Sequence, residues 1–456
     1  MLKKKNEKMK SLKILLFILL SIQVKAQCWN KISLGSMHTV ALKMDGSLWG
    51  WGYNYPGQLG NGTSNPESIP IQIGTDKDWK FIETGYAFTL AIKNNGTLWC
   101  WGSNSQGELG DGTTINKTIP TQIGTDRDWE LLSAGWDHVL AIKTNGTLWS
   151  WGNNSYGQLG DGTTINKTIP TQIGISNNWS SISCGYNNSI ALKTDGSIWG
   201  CGANFYGQIG DGTIVTDYNL HQIGTDTDWK SISCGLYHTL GIKNNNKIYS
   251  WGRNDIGQLG DGSNKYSSSP IQVGTDDNWL SVSAGGYHSA GIKSDGSLFM
   301  WGSNGSGELA DGTNSNKFSP ALIGSDTNWA FISLGIYRSC ALKSTNTVWS
   351  SGSYTGDGTY STRNVPTLIS CSSLATDQFN LNNLITLYPN PTKDIINIDK
   401  GNLLISKILI FDILGKKILE EYKGSSKLDV SHLDKGIYMI EVHSEYKIFK
   451  SKFIKM

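Results

Sequence analysis

The chain has 456 residues, of which 17% are charged against the roughly 25% of an ordinary soluble domain, and 54 are Gly, about 12% where about 7% is usual. That composition disfavours coiled coils and helix bundles, while 10% aromatics, including 18 Trp, can fill a large core and exclude wholesale disorder. The formal net charge of +2 conceals a segregation: residues 1–26 carry seven Lys against one Glu, residues 372–456 twelve Lys against ten acids, and the body 27–371 is left at −6. An acidic body repels polyanions, so no nucleic-acid partner is expected.

Residues 1–26 read as an export signal, with the basic start Lys3, Lys4, Lys5, Lys8 and Lys10, an apolar stretch over 14–22, and the small-residue site Val24-Lys25-Ala26 before Gln27. The apolar stretch is too short for a membrane anchor, and no later run approaches the roughly 18 residues of a span, so no stable membrane span is expected.

From Trp29 the chain repeats in register. Trp29, Trp79, Trp129, Trp179, Trp229, Trp279 and Trp329 recur every 50 residues, and so does a lysine from Lys43 to Lys343. Trp51-Gly52 returns at 101, 151, 251 and 301, with Cys201-Gly202 and Ser351-Gly352 in the other two units. Each unit holds short runs of β-branched, aromatic and apolar residues bounded by Gly, Asn and Asp, which read as four strands. Asp45-Gly46, Asn95-Gly96 and their equivalents supply the positive φ of a tight hairpin between the second and third. Seven such units predict an all-β fold, a seven-bladed β-propeller over 27–371. The strand Pro120–Ile123 lies five residues before Trp129, which suggests one shared blade. On that pattern Pro366–Ile369 is left over at the far end, and it is expected to complete the first blade and so close the ring by a C-terminal strand.

The seven cysteines, 28, 100, 184, 201, 234, 340 and 371, show no Cys-x-x-Cys spacing, so no metal is expected. In a closed ring Cys28 and Cys371 fall where residues three apart in one loop fall elsewhere, and in an oxidising space they are expected to form a disulfide across the seam. Cys184 and Cys234 share a register and read as small buried residues.

The string Trp-Gly-x-Asn-x-x-Gly-Gln-Leu-Gly-Asp-Gly-Thr at 151–163, with Gly-x-x-His-x-x-Ala-Ile-Lys-x-x-Gly-x-Leu-Trp at 135–149, resembles the regulator of chromosome condensation repeat. The resemblance covers 28–370 and implies seven blades. Departures are local: Cys201 and Ser351 replace Trp, Ala310 replaces Gly, Leu220 replaces Pro, and the last unit is four residues shorter between Gly352 and Asp357. The founding eukaryotic member acts as an exchange factor on chromatin, which an exported acidic chain does not meet, so the fold does not carry that function over.

Residues 372–384 break the period and read as a linker. Residues 385–456 resemble the C-terminal sorting domain of the type IX secretion system of Bacteroidetes, on Tyr388-Pro389-Asn390-Pro391, Gly415, and Gly436-Ile-Tyr438. That resemblance implies the type IX machinery as a partner, with release from the cell or display on its outer surface.

Within the propeller, His38, His138, His238 and His288 share a register occupied elsewhere by Phe88, Asn188 and Arg338. A residue repeated round a ring serves each blade rather than one catalytic geometry. The lysines beside the hairpins read as solvated strand ends, and the pairs Asp76/Asp78, Asp126/Asp128 and Asp226/Asp228 as turn chemistry. The longest connections, from Trp-Gly to the Pro strand, vary at 63–68, 214–219 and 264–269 and carry the Tyr, Ser, Asn and Gly of an adaptable surface. The expected function is a monomeric, cofactor-free binding protein that takes a protein or glycan ligand through blade loops and is not an enzyme. The alternative is a secreted hydrolase or lyase with its site in the axial channel.

Overall fold

The computed structural model describes residues 29–370, 386–399, 405–412, 416–422, 427–444 and 448–456. The chain divides into two compact units, Met1–Cys371 and Ser372–Met456. The export signal over 1–26, the linker 372–384, Cys28, Cys371 and Gly415 lie outside the described residues.

In the first unit the described strands form seven four-stranded antiparallel sheets. The first blade runs from the innermost strand Trp29–Leu34 through His38–Lys43 and Leu48–Gly52 to the outermost Glu67–Gln72. All six residues of His38–Lys43 are buried, because a second strand has a blade packed on each of its faces. The outermost strand has no fully buried position, two partly covered residues being followed each time by one exposed. The hairpin between second and third strands turns on Gly46 at φ 77°. A Cβ there would also strike the carbonyl of Lys77 in the next blade. Asn246 and Asn346, which tolerate the left-handed region, take this place in two blades at φ 57° and 58°.

The expected closure by a swapped strand is not what the chain does. Arg363–Ile369 pairs with Val348–Gly352 of its own blade, with Trp349 opposite Leu368, and the first blade is completed by its own Glu67–Gln72. The five residues between a Pro strand and the next Trp do not turn within a sheet. They carry the chain from the outer edge of one blade to the inner edge of the next. Closure is instead repetition of the ordinary junction. Trp29 donates its backbone N–H to Asn346 O at 3.3 Å, as Trp129 does to Gly96 O at 3.3 Å. Trp51 Nε1 donates to Thr355 O at 3.1 Å, as Trp101 Nε1 does to Gln58 O at 2.9 Å. Ile369 shares a buried cluster with Trp29, as Ile123 does with Trp129, so the two ends of the ring meet as consecutive blades do.

Two of the departures from the repeat meet at one junction. Gly60 is pressed against the next blade's Trp101, where a Cβ would lie 2.6 Å from the indole nitrogen. Ala310 takes this register at φ 59° opposite Ser351, which replaces the tryptophan. The missing indole leaves a cavity of about 20 Å³ lined by Ala310, Trp329, Trp349 and Ser351.

In the second unit a three-stranded sheet joins Thr386–Tyr388, Ile395–Asp399 and Lys427–Asp429, and a four-stranded sheet is ordered Lys417–Tyr422, Ile405–Phe411, Gly436–Ser444, Ile448–Lys455. Ile396, Ile398, Ile408, Ile410, Leu428 and Phe453 lead its core. Two X-Pro bonds, Tyr388–Pro389 and Asn390–Pro391, are cis. Asn390 accepts from Ile454 N at 3.0 Å and donates to Lys452 O at 3.1 Å, which ties the motif to the last strand. Tyr438, just inside the strand that opens at Gly436, donates to Asp434 O at 2.9 Å and stacks on Phe453. Tyr388 stays 54% exposed.

Candidate ligand-binding face

The recurring polar residues are absorbed by blade packing. His38, His138, His238 and His288 do not converge; each crosses one junction, with Nε2 2.9–3.0 Å from the hydroxyl of Thr89, Ser189, Ser289 or Ser339. Each hydroxyl donates its own proton to the carbonyl of Gln58, Gln158, Gln258 or Glu308 at 2.7–2.8 Å. The hydroxyl must therefore accept from the imidazole, which fixes the neutral Nε2–H tautomer. Burial pushes the imidazoles down, to about 3 for His38, His138 and His238 and about 4 for His288, so they stay uncharged at physiological pH. A Cβ on Gly35 would collide with the His38 ring, so the glycine before each such histidine is set by that ring. In the last blade the buried Arg338 takes the place and donates across the seam to His38 O, and to Tyr354 O at 3.3 Å.

The lysines are not solvated strand ends. Lys143 is 7% exposed, its Nζ 4.7 Å and 4.5 Å from the ring centres of Trp129 and Trp149 and 2.6 Å and 3.0 Å from Asp126 and Asp128. Burial alone would lower its pKa; the two carboxylates more than offset this and raise it. The Asp pairs are thus lysine counter-ions, and Trp, Lys, Trp and Asp-x-Asp form one cation–π clamp at the hairpin end of a blade.

The long connections are held mostly by their own bonds. Asn104 Nδ2 donates to Asp111 Oδ1, Thr113 O and Ile115 O at 3.0–3.2 Å, while its Oδ1 accepts from Leu109 N at 2.9 Å.

At the axis the innermost strands leave a cavity of about 90 Å³, far below the roughly 300–1,000 Å³ of small-molecule sites. Glycines, small apolar residues and the thiols of Cys184 and Cys234 line it, and burial pushes those thiols up to about 12 and 11. One innermost strand departs from its peers: Glu83 stands where the six other blades have Ser. Burial lifts its carboxyl to about 8, against the Ala134 N–H and the charge of Lys31.

Around the mouth lies a feature the sequence reading missed. The turn from innermost to second strand presents Tyr86, Trp136, Tyr186, Tyr237, Tyr287 and Tyr337 from six consecutive blades. Their ring centres step by 3.7, 4.4, 5.3, 6.3 and 6.3 Å, forming one continuous arc that the first blade, with Ser36 and Met37, leaves open. Tyr86 and Tyr337, at its ends, are 36% and 41% exposed. Tyr206 joins at 5.4 Å from Tyr237, and Arg253 lies over Tyr206, Tyr237 and Tyr287 at 5.3–5.6 Å. Asp255 holds that guanidinium bidentately at 2.8 Å and 2.6 Å. Beside Trp136, burial and then the charge of Glu108 push the Asp137 carboxyl up to about 7. The available signal was an aromatic residue between the recurring Gly and the His register, displaced by one position after Tyr186, which a strict column-by-column reading splits in two.

A closed ring of seven four-stranded blades built on this junction defines a class of propeller, and comparison with known proteins places the chain within it. It belongs to the RCC1-like domain family, whose model matches residues 7–281; models of the regulator of chromosome condensation (RCC1) repeat match 279–308 and 295–342. Residues 386–456 match the secretion system C-terminal sorting domain, which marks the protein for secretion or the cell surface through the type IX system. Among solved structures, human WBSCR16 superposes with a TM-score of 0.64 at 20% identity, covering 71% of this chain and 94% of that one. Yeast RCC1 (Prp20), solved with Kap60, gives 0.60 at 23%, covering 68% and 78%. Of curated relatives, the ultraviolet-B receptor UVR8 of Arabidopsis thaliana is 43% identical over 51 residues, 11% of this chain and 12% of that protein. Ulvan lyase NLR42 of Nonlabens ulvanivorans is 31% identical over 74 residues, 15% and 14%. The chain thus spans only about an eighth of the length of these two relatives. No helix among the described residues is long and apolar enough to cross a membrane.

Proposed function

We propose that this exported propeller is a binding module that takes an extracellular ligand on the face around its axial mouth. The observation that carries the reading is the six-ring arc. Large rigid aromatics give contact area at little conformational cost, and here the arc keeps Tyr86 and Tyr337 exposed and its other four rings partly open, while the Trp29 and Trp51 registers are spent on packing. The constricted axial cavity and its buried thiols argue against a small-molecule reaction on the axis. The test is a pull-down from culture supernatant with the full chain and with Trp136→Ala and Tyr237→Ala. Species captured by the native chain and lost with both variants support the face; equal capture by all three removes it.

Glu83 and its raised carboxyl favour one second reading, a hydrolase or lyase acting at the innermost strands, since a carboxylic acid protonated near neutrality can serve as general acid. Polysaccharide turnover abolished by Glu83→Gln would establish it.

A further inference from the structure

Resting on the binding face proposed above, we propose that its ligand is an uncharged polysaccharide, lying across the arc from Tyr86 through Trp136 and Tyr237 to Tyr337 against the parts of the rings left open to solvent.

Three observations lead there. The first is spacing. The ring centres step by only 3.7–6.3 Å, with Tyr86 and Trp136 stacked face to face, so the six rings touch in sequence and make one apolar ribbon unbroken over five junctions. A compact small ligand would need a pocket, and a protein knob would need a concavity; a curved row of solvent-facing rings fits an extended polymer with a repeating apolar face.

The second is direction. The first three aromatics occupy the position directly after the recurring glycine, and Tyr86 and Trp136 line the axial mouth. The last three are displaced by one residue, and Leu236, Gly286 and Ile336 line the mouth in their stead. The row therefore starts at the axis and swings outward. It ends at the first blade, where Ser36 and Met37 provide no ring. The contact surface is a path with two distinct ends rather than a symmetric collar, as a directional chain requires.

The third is charge. Arg253, the cation lying over the arc, is neutralised by the bidentate Asp255. Near the axial end stand two acids in a relation that the next blade fills with amides: Gln158 Nε2 donates to Asn187 Oδ1 at 3.2 Å, and Glu108 and Asp137 hold the same two registers one blade earlier. Glu108 is completely buried, accepting from Ser103 Oγ at 2.6 Å and Gln106 N at 2.7 Å, and its charge acts on Asp137. The buried charge of Glu108 at the foot of Trp136, on a propeller body of net −6, repels uronate and sulfate groups, while the Asp137 carboxyl beside it can exchange hydrogen bonds with sugar hydroxyls.

The experiment is affinity gel electrophoresis of the purified full chain in gels containing laminarin, galactomannan or hydroxyethyl cellulose, and separately alginate or dextran sulfate. Melting curves verify the fold of Trp136→Ala, Tyr86→Ala and the control Ile175→Ser, whose side chain is 97% exposed in a connection beside the hairpin end of the blades, opposite the arc turns. The expected result is retardation by at least one neutral glycan, at least tenfold weaker for Trp136→Ala and Tyr86→Ala and unchanged for Ile175→Ser. Retardation by the polyanions alone, lost in Trp136→Ala, overturns the uncharged assignment and leaves the face standing. Retardation by a neutral glycan that survives both arc variants overturns the arc as its seat. No retardation in any gel overturns the glycan assignment, and the supernatant pull-down then decides the face independently.

Discussion

The two ends of each blade repeat the same strands and reach opposite outcomes. At the hairpin end, the Trp129 and Lys143 registers recur in all seven blades with an aromatic ring at the Trp149 register, and three blades add a full Asp pair such as Asp126/Asp128, because each side chain is clasped by the others. At the axial end, the two turn residues between Gly135 and His138 lie outside the paired strands, and in other blades they range from Ser36-Met37 to Gly286-Tyr287. Repetition marks what the ring requires of every wedge, and variation marks where the molecule can differ from its own symmetry. At Ala310 and Ser351 a packing residue and the residue it presses on have changed together.

The sharpest way to break the packing side of this comparison is acid. The four bridging histidines have folded pKa values of about 3 to 4 against 6.5 when exposed, so the unfolded chain binds more protons between those limits. Their contribution is fully present above pH 6.5 and is lost as pH falls toward 3 to 4. It falls by about 1.4 kcal/mol per pH unit for each histidine at the steepest, or about 5 for four. The raised carboxyls of Glu83 and Asp137 offset two of those four protons, cancelling most of the decline near neutrality and leaving a net fall of about 2.7 kcal/mol per pH unit below about pH 6. Denaturant unfolding at pH 6.0, 5.5 and 5.0 should show the decline. His238→Asn, a residue the fourth blade already carries at this register as Asn188, should remove one proton from the slope; a flat profile refutes the assignment.

Next comes the seam. We propose that Cys28 and Cys371 are joined, since Ile369 and Trp29, their described neighbours in sequence, meet as Ile123 and Trp129 do. Closing so long a loop is worth about 4–5 kcal/mol on the chain-entropy model. Non-reducing peptide mapping of exported protein should find the cross-link, and two free thiols would dismiss it.

A matched pair of tryptophans tests the contrast directly. Trp101→Ala removes a fully buried indole and its bond to Gln58 O, and should cost about 3–5 kcal/mol in thermal unfolding. Trp136→Ala, on the arc, should cost below about 1 kcal/mol while ligand capture is lost. Equal losses of stability would erase the distinction between the two ends.

The smallest effect is a repair. Ser351→Trp with Ala310→Gly restores the ordinary junction between the last two blades, fills the small cavity and should add about 1 kcal/mol. Ser351→Trp alone should destabilise, because the Ala310 methyl occupies the space of the indole edge; melting curves of the two variants decide it.

Much of the protein was legible in its residues. The 50-residue period, the Gly46-type hairpins and the Tyr388-Pro389-Asn390-Pro391 element determined the seven blades, the four strands in each and the exported class, because backbone turns and strand alternation are local demands written within a few residues. Which blade owned the Pro366 strand was not local: five residues can either turn within a sheet or step between sheets, and only pairing partners distinguish the two. The same holds for the lysines. Lys143 beside a turn reads as solvated until Trp129, Trp149 and the Asp pair, dispersed over some 24 residues, are folded onto it. The arc was decided by tertiary structure alone, since rings 50 or 51 residues apart become neighbours only when wedges close around an axis, and a surface is a property of what the packing leaves over.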